Sequence, residues 1–431
     1  MNRLVARRDF LRRIAATGIV IGFPSILPAA VLGRDGGTAP SNRIAFGAIG
    51  IGPRARDLLP NFLAWPDTHF LAVSDCRDDR LRAAKEMMDG YYGNQDCQMH
   101  PDFRDLLARP DIDAVVAATG NRWNGLASIY ATRAGKDVYG EKPISLCLAE
   151  GRALVETCRR CGTIYQAGTQ RRSTGSYAFA REMVRQGKIG RLQTVEMQVW
   201  TGPAIPHGKA EPVPKGWNYD LWLGQAPWKP FVPGWVNNWQ YFWDTADGML
   251  ADMGCHYTDQ MQWVLGTDDT GPVEFEATGV FPDPAQYCSD TPITATGTCR
   301  YANGVRGVIY QRREFNDRYI KYLGDEGWIQ VDDATDEVKA EPKSILGFKP
   351  TGGVGWANAS AHIRNFLDSI RSRRPTTCHP EVAHRAMTIV QAMNLSLRLG
   401  RRLRWDPVKE RFDDPDANRM IRRDPRAPWR F

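Results

Sequence analysis

The stretch RIAFGAIGIGPRARDLL, residues 43–59, constrains this chain more than any other. It reads as a buried strand from Ile44 to Ile49, a glycine turn and the start of a helix. Gly50, Gly52 and Ala55 carry the spacing G-x-G-x-x-G/A in that strand–turn–helix order. Gly50 permits the tight turn, Gly52 lets the backbone approach a pyrophosphate, and Ala55 keeps helix and strand close. The helix N-terminus then presents unpaired N–H groups and a partial positive charge to a phosphate.

The next hundred residues fit the same unit. The segment FLAVSDCRDDRL reads as a second strand ending in Asp75, roughly 20 residues on, where an acid meets the ribose 2′-hydroxyl of a dinucleotide. An acid there repels a 2′-phosphate and favours NAD, while Arg77 beside it leaves NADP open. A third strand, DAVVAAT, ends at Thr119, and DVYGEKP supplies another ending near Glu141. Ligands in such sheets bind at the carboxyl ends of strands, which puts Thr119, Glu141 and Lys142 on the cofactor side. A Rossmann dinucleotide-binding domain is expected over residues 43–167.

From residue 168 the periodicity changes. LQTVEMQVW, VEFEATGVF, PITATGTCRYANGVRGVIYQRR and YIKYLGDEGWIQVDD alternate with period two, and Asn303-Gly304 marks a tight hairpin. Consecutive strands without intervening helices predict an open, predominantly antiparallel sheet with one face against helices and the other free for substrate or a partner subunit. The fold class is therefore α/β plus α+β. The second domain, for substrate and oligomerisation, spans residues 168–405, and residues 406–431 form a C-terminal arm. Residues 200–243 hold seven of the 14 tryptophans. They could stack on sugar C–H faces, staple down a structural loop, or do both.

Of the net charge of +7, +4 falls in the first 33 residues, leaving too little elsewhere to argue for nucleic acid. Arg7-Arg8-Asp9-Phe10-Leu11 precedes a short apolar run broken by Gly18, Gly22, Pro24 and Pro28. That pattern resembles a twin-arginine export signal over residues 1–33, implying a periplasmic protein exported folded and no stable membrane insertion. The nine cysteines have neither disulfide-framework nor zinc-site spacing. Cys158 and Cys161 fall late in an amphipathic helix and read as ordinary buried thiols.

GMLADMGCHYTDQMQW, residues 248–263, reads as a helix with Asp252, His256 and Asp259 at i, i+4 and i+7 on one face. A solvated stripe, a metal site and an acid/base pair all fit that spacing. No further ligand motif supports a metal.

The glycine turn, Glu141-Lys142-Pro143 and Asp252-x-Gly-x-His256 together resemble the glucose–fructose oxidoreductase/inositol dehydrogenase superfamily (Gfo/Idh/MocA). The similarity extends through QAGTQRRS, NYDLWLGQAP and LRLGRRLRWDP. The resemblance implies NAD(P)-linked chemistry on a sugar, cyclitol or related glycoside, in a homo-oligomer (dimer or tetramer). It carries Lys142 over as a substrate-contacting residue near the nicotinamide, His256 as acid/base and Asp252 as its companion. Asp259 reads as structural. Relatives commonly have Pro-Asp-His-Trp-His after the strand ending at Thr119, and this chain has Gly120 to Asn124, GNRWN. Arg122, Trp123 and Asn124 are therefore expected at the substrate. A dehydrogenase is the leading expectation. Alternatives are an NAD-dependent redox-assisted glycoside hydrolase, whose members carry a Thr-His-Gly-type run instead, and a non-catalytic NAD-retaining sugar-binding protein.

Overall fold

A computed structural model of the protein describes residues 39–313, 318–347 and 359–431. Strand β1 (Ile44–Ile49) is buried almost throughout, as is β4 (Ala114–Ala117), and both read as continuous apolar runs. Such runs belong at the centre of a parallel sheet covered on both faces. They pair with each other, β1 also with β2 (Thr68–Ser74) and β4 with β5 (Asp137–Gly140), while β3 (Gln98–His100) adds to β2 and β6 (Tyr165–Ala167) to β5. The order is β3-β2-β1-β4-β5-β6, all parallel, with the strand order reversing beside β1. The reversal opens a crevice at the carboxyl ends of β1 and β4, where ligands bind in sheets of this kind.

The second sheet has nine strands in the order β13-β12-β11-β7-β10-β9-β8-β14-β15, with β12 (Trp328–Asp332) and β13 (Val338–Glu341) at one edge and β14 (Leu403–Asp406) and β15 (Arg411–Phe412) at the other. Its centre is β7 (Leu192–Trp200), β8 (Glu274–Val280), β9 (Thr294–Arg300), β10 (Arg306–Arg313) and β11 (Tyr319–Gly324). One pair, β10 with β7, is parallel and the others are antiparallel. Inward residues such as Val195, Met197, Ile309 and Ile320 alternate with more exposed ones. Helices Gly254–Leu265 and Pro380–Leu399 pack on the inner face. They approach closely because the strands present glycine there: a Cβ on Gly297 would lie 2.7 Å from Met393 Sδ, and one on Gly307 2.6 Å from Met261 Sδ. The hairpin expected at Asn303-Gly304 forms, with Gly304 at φ +89°.

The C-terminal arm is a short hairpin, β14 (Leu403–Asp406) with β15 (Arg411–Phe412), then helix Pro415–Met420. Its tail returns to the nucleotide domain, where Trp429 packs edge-on to Trp123 with centroids 4.7 Å apart. The Cys158–Cys161 expectation needs correction, because Cys158 is buried but Cys161 is exposed beside the helix terminus. No helix among the described residues is long and apolar enough to cross a membrane. The Arg7-Arg8 signal lies outside the described residues.

Candidate functional site

One cavity of about 480 Å³ opens at the carboxyl ends of β1, β2, β4 and β5. Gly50 turns the chain out of β1 at φ +81°, its N–H donating to Ser74 O at 2.8 Å. A Cβ there would meet Ala118 O at 2.8 Å, so both conformation and space demand glycine. Gly52 is the N-cap of helix Pro53–Leu63 and provides no side-chain cap. A Cβ at Gly52 would find nothing nearer than Arg80 Nη1, 3.7 Å away, so the turn is open on its ligand side. Ala55 is buried one turn on. A bare glycine turn below uncapped N–H groups fits a dinucleotide pyrophosphate, and the residues suit the cofactor the motif implies.

Asp75 follows β2 and lines the cavity, nearly buried. Its carboxylate accepts from Ile51 N at 2.6 Å and from Arg77 N at 2.9 Å. The acid expected at the ribose thus fixes the glycine turn. Arg77 pairs with Asp79 and lies 4.5 Å over the Trp217 ring.

Glu141, at the end of β5, is a hub rather than a free carboxylate. It accepts from Arg54 Nε at 2.9 Å and from Gln170 Nε2 at 3.1 Å. Gly168 packs against it, where a Cβ would come within 2.7 Å of its carboxyl carbon. This hub joins the glycine-turn helix to the start of the second domain. Neither Arg54 nor Gln170 carries a spacing signal that would have announced this role.

Lys142 and Asp252 both line the same cavity from different domains. Lys142 Nζ donates to Asp252 O at 2.9 Å and lies 3.4 Å from the Asp252 carboxylate. The helix expected over 248–263 is in fact two, Gly248–Asp252 and Gly254–Leu265, meeting at Met253. His256 N bonds to Met253 O, which leaves the Asp252 carbonyl outside the i→i−4 ladder and available to Lys142. Gly254 sits at the joint, where a Cβ would lie 3.0 Å from Val390 Cγ1. The single face predicted for Asp252, His256 and Asp259 is therefore broken.

His256 lies in the first turn of the second helix, 3% exposed and outside the cavity wall. Its buried Nδ1 has no partner. Burial, reinforced by the cations Arg171, Lys142, Arg54 and Arg318, holds its pKa well below the usual histidine value. The ring is thus kept neutral, the form that can accept a proton. Asp259 does not join them. Its carboxylate accepts from Arg172 Nε at 2.9 and 3.0 Å, deep in the core. Among the described residues, no cluster of three or more His, Cys, Asp or Glu has metal-site geometry.

The segment after β4, which opens helix Asn121–Arg133, has a different character from the expected substrate wall. Trp123 Nε1 donates to Leu221 O at 2.8 Å, and its ring packs among Phe103 and Trp429. Asn124 Oδ1 accepts from the Thr119 backbone N–H at 3.0 Å, while its Nδ2 donates to Pro143 O at 3.1 Å. Both side chains touch the cavity, but their polar groups are spent on holding β4, the Lys142–Pro143 turn and the 221–222 segment together. Arg122 is also buried, its Nε on Trp222 O at 2.6 Å.

The tryptophan-rich segment forms its own small core around Tyr219, Trp222, Phe231, Trp235 and Phe242. It also does something composition does not reveal. Trp217 bridges antiparallel to Arg77, with Asp78 N on Gly216 O and Asn218 N on Cys76 O, both at 2.8 Å. The segment is thereby fastened just beyond Asp75, with Trp217, Trp222 and Trp239 on the cavity wall. Trp228 stays 63% exposed.

Comparison with known proteins agrees with this architecture. A family described as oxidoreductase family, NAD-binding Rossmann fold matches residues 44–169, and its C-terminal alpha/beta domain matches residues 195–431. Myo-inositol 2-dehydrogenase of Thermotoga maritima is 24% identical over 370 residues, covering 84% of this chain and 98% of that protein. A glycosyl hydrolase family 109 protein of Saccharopolyspora erythraea is 32% identical over 174 residues, 36% of this chain and 37% of that one. The WlbA dehydrogenase of Bordetella pertussis, solved with NADH and UDP-GlcNAcA, shares the fold. Its TM-score is 0.64 at 19% identity, covering 84% of this chain and 99% of that one. With both domains matched, and more than half the chain by the second alone, the protein belongs to the Gfo/Idh/MocA family and is an NAD-dependent oxidoreductase of that type.

Proposed function

We propose that the protein oxidises a hydroxyl group of a sugar, cyclitol or sugar derivative, with Lys142 and Asp252 at the reacting end of the cofactor cavity and His256 buried on the adjoining helix. The observation that carries this reading is the Lys142–Asp252 pair on the cavity wall, a cation from the nucleotide domain steadied by the second domain. Bound NAD supplies the hydride acceptor. Lys142 donates to the substrate oxygen and stabilises the negative charge that develops as its proton leaves. Asp252 orients Lys142, and the neutral His256 takes the proton. Thr119, Asp75 and the Gly50–Ala55 turn hold the dinucleotide. The likeness to an inositol dehydrogenase supports a polyol or sugar substrate. The test is to add NAD and a panel of sugars and cyclitols to the purified protein and follow reduced nicotinamide. Bond cleavage without net reduction would instead support a redox-assisted hydrolase, the reading favoured by the family 109 likeness.

Two further properties rest on the sequence and on the second sheet. The Arg7-Arg8 pattern supports folded export to the periplasm. Replacing both arginines by lysine is expected to strand the protein in the cytoplasm, since the signal is read as an address and not as charge. An unchanged periplasmic yield would count against it. The open outer face of the nine-stranded sheet, with Thr296, Thr298 and Tyr310 on its central strands, supports a homo-oligomer. Light scattering that gave a monomer mass at micromolar concentration would reject that.

A further inference from the structure

Arg122 is a buried cation with no ion-paired acid. It lies in the first turn of helix Asn121–Arg133, only 4% exposed. Its guanidinium rests 3.8 Å over the Trp222 ring and 5.2 Å from that of Trp239. Nε is satisfied by Trp222 O, but the buried Nη1 has no partner. Among the described residues no carboxylate forms an ion pair with it. Burial pushes its pKa down to about 10, so it remains charged at neutral pH. A charge kept in that state is costly unless something compensates it, and here the protein offers only two indole faces and an Asp75 carboxylate that makes no ion pair with it.

The partnerless nitrogen points to where the compensation comes from. Gly120 is the N-cap of the same helix, at φ +86° and with no side-chain cap. A Cβ on Gly120 would lie 3.0 Å from Trp239 Cη2 and 3.4 Å from Arg122 Nη1, so the indole and the guanidinium together overhang that uncapped helix end. The uncapped end of helix Pro53–Leu63 faces the same cavity. The ionisable groups acting most strongly on Arg122 are Cys76, Arg80, Asp75 and Tyr219, at the adenosine end, and not Lys142 at the reacting end.

We propose that Arg122 is a cofactor residue, its guanidinium and the N–H groups opening helix Asn121–Arg133 together binding a phosphate group of the dinucleotide. This rests on the dinucleotide reading of the cavity and moves Arg122 away from the substrate role its sequence position suggested. A phosphate oxygen takes the hydrogen bond from Nη1, and the anion neutralises the buried charge. The Trp222 and Trp239 rings keep the guanidinium plane in place and water away from it. Because Nε is held by the Trp222 carbonyl, the aromatic segment and the phosphate site form one unit.

Calorimetric titration of adenosine, ADP and adenosine 2′-phosphate into wild type, Arg122→Gln and Arg122→Lys tests this. Arg122→Gln is expected to weaken the phosphate-bearing ligand by roughly 10- to 100-fold. Adenosine should be unaffected, and Arg122→Lys should recover part of the loss. A loss confined to ADP assigns the residue to the diphosphate, and one confined to adenosine 2′-phosphate assigns it to a ribose phosphate. Either result supports the clamp. An equal loss for adenosine, or none for either phosphate, overturns it. If Arg122→Gln does not fold, thermal shifts with inorganic pyrophosphate decide: stabilisation of wild type must shrink in Arg122→Lys, and an undiminished shift overturns the proposal. Wild type that binds none of the three ligands would reject the dinucleotide reading itself.

Discussion

Lys142→Met is expected to lower hydride transfer by roughly 10²–10³ while leaving NAD bound. The substitution removes the cation that stabilises the developing alkoxide, yet it leaves the Gly50–Ala55 turn and Asp75 untouched. His256→Asn should keep a hydrogen-bonding shape but lose the proton acceptor, costing on the order of 10²–10⁴ in turnover. The measurement pairs bound NAD per protomer with the rate of hydride transfer from a deuterium-labelled substrate. Loss of NAD in step with activity would make either residue structural, and full activity would remove it from the mechanism. The pH profile adds a constraint. Burial and the cations around His256 lower its pKa, so its neutral form persists below the ordinary histidine value. An acid limb in kcat/KM assigned to His256 should therefore fall below about pH 6.5 and vanish in His256→Asn. A limb above that value which survived the substitution would belong to another group.

The parts of this site that are legible in the sequence are those whose signal is local. Gly50 and Gly52 announce themselves because a strand, a turn and a helix lie within a few residues of one another. Asp75 does so because it ends the next strand. The parts that are not legible depend on partners far apart along the chain. Nothing near Trp217 says that it will bridge Arg77, or near Arg54 that it will meet Glu141. The break at Met253 is hidden for another reason. A pattern of i, i+4 and i+7 is unchanged when one backbone hydrogen bond fails, but that failure turns Asp252 toward Lys142 and separates it from the helix bearing His256. By position the GNRWN loop reads as substrate wall, whereas burial gives Trp123 and Asn124 hydrogen bonds to the protein itself.

Asp259→Ala should cost stability rather than chemistry, by about 3 kcal/mol or more, because it strips a buried cation of its buried partner. The adjacent arginines of the QRRS turn point to different anchors. Arg171 holds Asp333 through Nε and Nη2, both at 2.6 Å, and Arg172 holds Asp259. Arg172 also reaches Asp268 at 2.7 Å, just past the C-terminal glycine of the same helix. That second acid is 35% exposed at its side chain, whereas Asp259 is fully buried, so Asp268 only partly replaces what the variant loses. The turn leads out of β6, and the helix with Asp259 begins at Gly254 and carries His256 in its first turn, so the pair fixes that helix of the second domain to the end of the nucleotide domain. Asp259→Asn removes the charge but keeps a hydrogen-bond acceptor and should lose less than the alanine variant. Chemical denaturation of wild type and both variants measures the effect, with the hydride-transfer rate of the folded fraction as the control. A stable Asp259→Ala protein with abolished turnover would mean that Asp259 takes part in the chemistry. A destabilised protein whose folded fraction still turns over would mean that Asp259, the third member of the Asp252–His256–Asp259 series, serves to hold the other two groups in register.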